Sequence, residues 1–193
     1  AWGLAACGAP GATGSSATAA GGAPAGGQVA TEAAAAQGEG AVGSGDEPTV
    51  AYRDPSGQFS FQYPRSWGNA TLPGETIRVA GRDEYISVRV VPTALPPLDF
   101  GKQDAGELAA ASPGYRATAL ADYRVAGTTG AMVAYTWQAG PSAVTGKPVP
   151  SSAKRYYIPG PAGKLAVLTY SAPTRTYDPA GADDFANAFR WTA

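Results

Sequence analysis

The chain contains no histidine, and its one cysteine, Cys7, stands near the N-terminus. Without an imidazole there is no Ser-His-Asp or Cys-His arrangement, no His-ligated zinc and no histidine pH switch. A lone thiol forms neither an internal disulfide nor a Cys-clustered metal site. Charge is sparse as well: 14 Lys+Arg stand against 15 Asp+Glu, a formal net of −1. That balance lacks the basic footprint of a nucleic-acid partner. No run reaches the ~18 apolar residues needed to cross a bilayer as a helix. These absences disfavour most enzyme classes, and no residue is assigned to catalysis, to a cofactor or to a metal.

What is present is distributed unevenly along the 193 residues. Residues 1–46 hold 16 Ala, 12 Gly, 3 Ser, 3 Thr and 2 Pro, with no Lys or Arg. Such a stretch buries too little apolar surface to offset the ordering of its backbone, so residues 8–46 are expected to form a disordered tether. From Glu47 the character changes: all ten Tyr, all five Phe and three of the four Trp lie beyond it. So do all 14 basic residues against 12 acids, a net of +2. Residues 47–193 are long enough to bury about 68–70% of their unfolded surface and form an independent core.

The start, Leu4-Ala5-Ala6-Cys7-Gly8, resembles a bacterial lipobox, in which an aliphatic and two small residues precede a cysteine that receives a diacylglycerol. Residues 1–7 are therefore expected to be the remnant of a lipoprotein signal peptide, whose charged and apolar regions would lie upstream. Stable anchoring takes more than one acyl chain, each buried methylene contributing about 0.8 kcal/mol. A Gly-rich coil over residues 8–46 would span roughly 31–37 Å, from ~5–6 Å × √39. A domain held so near the membrane meets a partner there at an effective concentration of order millimolar. The expected location is extracytoplasmic, with the membrane as one partner through lipid on Cys7.

Strand signals dominate the remainder. Phe59, Phe61 and Tyr63 alternate with polar residues after the turn Asp54-Pro55-Ser56-Gly57, and with Val50-Ala51-Tyr52 they predict an opening hairpin. Ile77–Val79, Glu84–Val91, Tyr115–Val125, Ala131–Gln138, Ala153–Ile158 and Lys164–Ser171 read as further strands. The last is apolar on both faces, which predicts a central strand covered on both sides. Helix formers run over Asp104–Ala111; a second helix is expected from Asp178-Pro179, with Asp183 and Asp184 compensating its dipole and Phe189-Arg190-Trp191 ending as a short strand.

Several local matches to chemical motifs have simpler readings. Gly38-Glu39-Gly40-Ala41-Val42-Gly43 fits GxGxxG but sits in Gly-rich coil rather than a βαβ unit. Ser151-Ser152-Ala153-Lys154 fits SxxK without its partner motifs and where a strand is expected. Asp178, Asp183 and Asp184 read as helix capping rather than as a cation site. Tyr135, Trp137, Tyr156 and Tyr157 read as core rather than as a recognition surface.

Gly57-Gln58-Phe59-Ser60-Phe61-Gln62-Tyr63-Pro64-Arg65-Ser66-Trp67 resembles the opening of PsbP-like domains. Ile86–Thr93, Leu98-Asp99-Phe100-Gly101, Glu107, Gly163-Lys164-Leu165, Tyr170 and Phe189 continue the likeness over about residues 50–192. The resemblance implies an α+β fold: an α/β/α sandwich with a central antiparallel sheet covered by helices and no catalytic activity. It further implies an accessory role on a membrane protein complex, in the named members the photosystem II oxygen-evolving complex. Similar domains occur in lipoproteins of non-photosynthetic bacteria, whose long Ala/Gly tethers this chain shares. It departs from the photosynthetic pattern in having no histidine and only four lysines, and no functional residue of that family is carried over. The expected function is a non-catalytic, lipid-anchored docking module; the alternative is a cell-envelope lipoprotein that binds a small apolar or lipid ligand.

Overall fold

A computed structural model describes residues 47–142 and 144–192. Leu4, Ala5, Ala6, Cys7, the tether 8–46 and the Gly-rich match at 38–43 lie outside the described residues.

The hairpin forms as expected from β1 (Thr49–Arg53) and β2 (Phe59–Pro64), with Tyr52 opposite Phe61. Its turn is closed by the Asp54 carboxylate, which accepts from the Gln58 N–H and the Ser56 hydroxyl. Gly57 takes the left-handed φ of +71° that the turn requires. The chain continues through β3 (Gly68–Ala70), β4 (Ile77–Ala80) and β5 (Tyr85–Pro92). Next come α1 (Pro97–Ala111), β6 (Arg116–Val125), β7 (Thr128–Pro141), β8 (Pro148–Pro159) and β9 (Lys164–Pro173). It closes with α2 (Pro179–Ala188) and β10 (Arg190–Trp191).

Two antiparallel sheets result. The large one has the strand order β3-β4-β5-β9-β8-β7-β6, and the small one β1-β2-β10. As its two-faced apolar pattern predicts, β9 is the middle strand of the large sheet, buried from Leu165 to Pro173. α1 packs over β6, β7 and β8 on one side, where Leu98, Phe100 and Leu108 meet Val133, Tyr157 and Val167. α2 and the small sheet share the other side, where Phe59, Phe61, Phe185 and Phe189 meet Ile86, Val88 and Leu168. The fold is α+β, a central antiparallel sheet between helical layers.

Three details differ from the sequence reading. α1 begins seven residues before Asp104: Pro97 occupies its first turn, where a missing N–H costs nothing, and the helix runs through Gly101. That glycine is required by packing, since a Cβ there would lie 3.0 Å from the Tyr157 ring. β3, three exposed residues with no alternation, gave no strand signal. Asp183 and Asp184 lie beyond the first turn of α2, and the helix is capped by Asp178, which accepts from the Ala180 N–H at 3.0 Å.

Candidate functional site

Two of the interior carboxylates are held by four consecutive residues of β8, Lys154-Arg155-Tyr156-Tyr157. Side chains alternate across a strand, so Lys154 and Tyr156 face α2 while Arg155 and Tyr157 face α1. Each pair grips one aspartate of the helix above it.

On the α2 side, Lys154 Nζ donates to Asp183 Oδ1 at 2.8 Å and to Oδ2 at 3.0 Å, and the Tyr156 hydroxyl donates to Oδ1. Burial works to raise the Asp183 pKa, but Lys154 and the tyrosine hydroxyls outweigh it and hold the carboxyl below its ordinary range. The Tyr156 phenol is pushed up by its own burial and by the neighbouring carboxylate.

On the α1 side, Asp104 is 5% exposed and carries more cation. Arg155 Nη1 donates to its Oδ2 at 2.7 Å, the Tyr157 hydroxyl to the same oxygen at 2.8 Å, and Arg89 Nη2 to Oδ1 at 3.1 Å. Burial again opposes the charge, and the two guanidiniums with the Tyr157 hydroxyl overcome it, so the Asp104 pKa falls. Burial works against the charged form of Arg155, but Tyr135 and Asp104 raise its pKa overall. Arg155 Nε is spent on the Thr169 hydroxyl at 2.9 Å.

α1 packs on the β6–β8 half of its side of the sheet. Beyond it, across β4, β5 and β9, the same face carries a polar row. Arg78 on β4 stands opposite Ser87 on β5, Ser87 opposite Thr169 on β9, and Thr169 opposite Arg155 on β8. These four residues form one cross-strand row on one face. Arg89 flanks the row, and Arg78 is held by Glu75 while its guanidinium carbon sits 4.2 Å above the Tyr85 ring. At the α1 C-terminal end, the Tyr115 hydroxyl and Trp137 Nε1 are buried without a hydrogen-bond partner among the described residues.

The other residues singled out in the sequence fall into structural roles. Tyr135, Tyr156 and Tyr157 are buried core. Ser151 lies on a strand and donates to the Val149 carbonyl, while Lys154 is engaged by Asp183, so the SxxK match has no helical geometry. Asp178 caps α2 and Asp183 accepts from Lys154, so these carboxylates are engaged in the fold rather than assembled around a cation. Sequence reasoning missed Asp104, Arg155 and Arg89: their partnerships span 15 to 51 residues and leave no local signature.

The fold is PsbP-like. The solution structure of cyanobacterial PsbP (CyanoP) from Synechocystis sp. PCC 6803 aligns with a TM-score of 0.57 at 17% identity, covering 79% of this chain and 98% of that one. A protein from Bacteroides thetaiotaomicron aligns at 0.53 and 12% identity, over 74% of this chain and 48% of its own. LpqN, involved in cell envelope biogenesis of Mycobacterium tuberculosis, aligns at 0.50 and 13% identity, over 76% of this chain and 91% of its own. No family model and no curated protein sequence matches the chain.

Proposed function

We propose that the chain is a non-catalytic, lipid-anchored extracytoplasmic module that docks onto a membrane protein complex. The observation that carries this reading is the PsbP-like fold, shared with cyanobacterial PsbP and with an envelope-biogenesis protein over nearly their whole lengths. The engagement of the interior carboxylates supports it. Asp104 and Asp183 each accept from a cation and a phenol and hold a lowered pKa, which is the reverse of what a general acid or base at neutral pH requires. Leu4-Ala5-Ala6-Cys7 supplies the anchor, and residues 8–46 the reach to a partner on the same membrane.

The test is expression of the precursor in a bacterial host fed an alkyne fatty acid, comparing the native chain with Cys7→Ser. The native chain should carry label and sediment with membranes, and the variant should do neither. Label retained by the variant would remove the anchor. For docking, cross-linking of the anchored chain in intact membranes should give a discrete adduct with a membrane protein complex. An adduct unchanged after substitutions on the domain surface would remove the docking reading.

A further inference from the structure

We infer that the polar row beside α1, from Arg78 through Ser87 and Thr169 to Arg155 with Arg89 at its flank, is a binding site for a phosphate group. The inference stands on the described domain alone and does not depend on the anchor at Cys7.

The two sides of the sheet make the contrast that points to it. On the α2 side, one carboxylate meets one cation, Asp183 with Lys154. On the α1 side three guanidiniums, Arg78, Arg89 and Arg155, are paired with two carboxylates, Glu75 and Asp104. The local sum is 3 − 2 = +1. The three side chains, 31%, 37% and 18% exposed at Arg78, Arg89 and Arg155, stand open to a ligand over the buried Ser87 and Thr169. One arginine would pair Asp104; Arg89 brings a second cation to it and Arg78 extends the positive face, a charge that a bound anion complements.

The donors are also in place. Each guanidinium has five N–H groups in a planar fork, and Arg155 is fixed at Nε by Thr169 and at Nη1 by Asp104. Arg78 is fixed by Glu75 and the Tyr85 ring. Side chains already held lose little freedom on binding. Strands lie about 4.8 Å apart, so the row spans roughly 14 Å between its terminal Cα atoms, within the combined reach of two arginine side chains, with the Ser87 and Thr169 hydroxyls between them. Guanidinium forks match phosphate oxygens in pairs, which a lysine point charge does not. The group could be borne by a free phosphorylated small molecule or by a lipid headgroup, and the recognition chemistry is the same.

The test uses the full chain carrying Cys7→Ser, so that no acyl group interferes, with 15N-detected arginine side-chain resonances as the readout. Inorganic phosphate added at constant ionic strength should shift the Nε–H signals of Arg78, Arg89 and Arg155 saturably and leave those of the exposed Arg53 and Arg116 in place. Arg78→Gln and, separately, Arg89→Gln should each weaken binding about tenfold, the loss of one charge-assisted contact; Arg78→Gln should keep a native melting profile, while Arg89→Gln, which also takes a donor from Asp104, should remain folded with a lowered melting temperature. A lack of saturable shift, equal shifts at Arg53 and Arg116, or undiminished binding in both variants would overturn the site. Flotation with vesicles of phosphatidylglycerol in phosphatidylcholine, but not of phosphatidylcholine alone, and lost in Arg78→Gln, would assign the phosphate to a headgroup. Phosphate binding without flotation would assign it to a free molecule.

Discussion

Tyr156 and Tyr157 are neighbours in the chain, yet they donate their hydroxyls to carboxylates on opposite sides of the sheet, Asp183 of α2 and Asp104 of α1. The cations two residues before each, Lys154 and Arg155, reach the same two aspartates. The period-two alternation of β8 thus builds two latches from four residues, and each latch fixes a helix.

The α1 latch should be the costlier to break. Asp104→Asn removes the charge that two arginines share and leaves them facing a neutral amide in a buried site, a loss of about 3–5 kcal/mol. Asp183→Asn opens a latch that is 28% exposed at the carboxylate, so solvent takes up part of the loss and about 1–2 kcal/mol is expected. Urea denaturation of both variants measures the difference. Equal costs would mean that the two latches bear equally on the fold.

Both carboxyls titrate below their ordinary range in the folded chain. The stability they contribute is therefore present above the unfolded carboxyl value of about 3.9 and is lost as pH falls through the lower folded values. The urea midpoint should hold steady near neutrality and decline in acid, with a shallower decline in Asp183→Asn. At the alkaline end the sign reverses, because buried phenols resist ionisation and Tyr135 is pushed up to about 12. Its contribution is complete below the unfolded value of about 10 and disappears as pH climbs to about 12. Phenolate absorbance followed with denaturation should show unfolding and tyrosine ionisation together in that range.

Two glycines of α1 should respond in opposite directions. A Cβ on Gly106 meets nothing within 4 Å, so Gly106→Ala gains helix propensity and should stabilise by about 0.5–1 kcal/mol. A Cβ on Gly101 meets the Tyr157 ring at 3.0 Å and 3.2 Å. Gly101→Ala should displace that ring from Asp104 and cancel the gain or reverse it, which thermal melts of the pair will show.

At Gly130 the neighbour cannot yield. An added Cβ would lie 2.2 Å from the Tyr157 carbonyl oxygen, which belongs to the β8 backbone. Gly130→Ala should push β7 from β8 and destabilise by about 1–3 kcal/mol or more, with faster amide exchange at Ala131 and Tyr157. Normal exchange there would show that the strands absorb the methyl group.

Much of the fold was legible because it rests on local rules. Phe59, Phe61 and Tyr63 alternate, so the hairpin was legible; Lys164–Ser171 is apolar on both faces, so its central place was too. The start of α1 was not legible: helix formers stand out only from Asp104, and Pro96, Pro97 and Gly101 hide the first turns, although proline suits a helix start and the glycine makes room for Tyr157. The polar site was not legible. Arg78, Ser87, Thr169 and Arg155 come from four strands spread over 92 positions, counting Thr169 minus Arg78 plus one, and only the register brings them side by side. Asp183 likewise looked like dipole compensation because its partners Lys154 and Tyr156 lie 29 and 27 residues away.

Because a single strand clasps both helical layers, the loss of either is expected to weaken the other. Heat that loosens α2 strands an ammonium and a phenol on β8, and heat that loosens α1 strands a guanidinium and a phenol on the same few residues. The sandwich should consequently melt as one cooperative body, and a calorimetric scan of it is expected to carry a single endotherm.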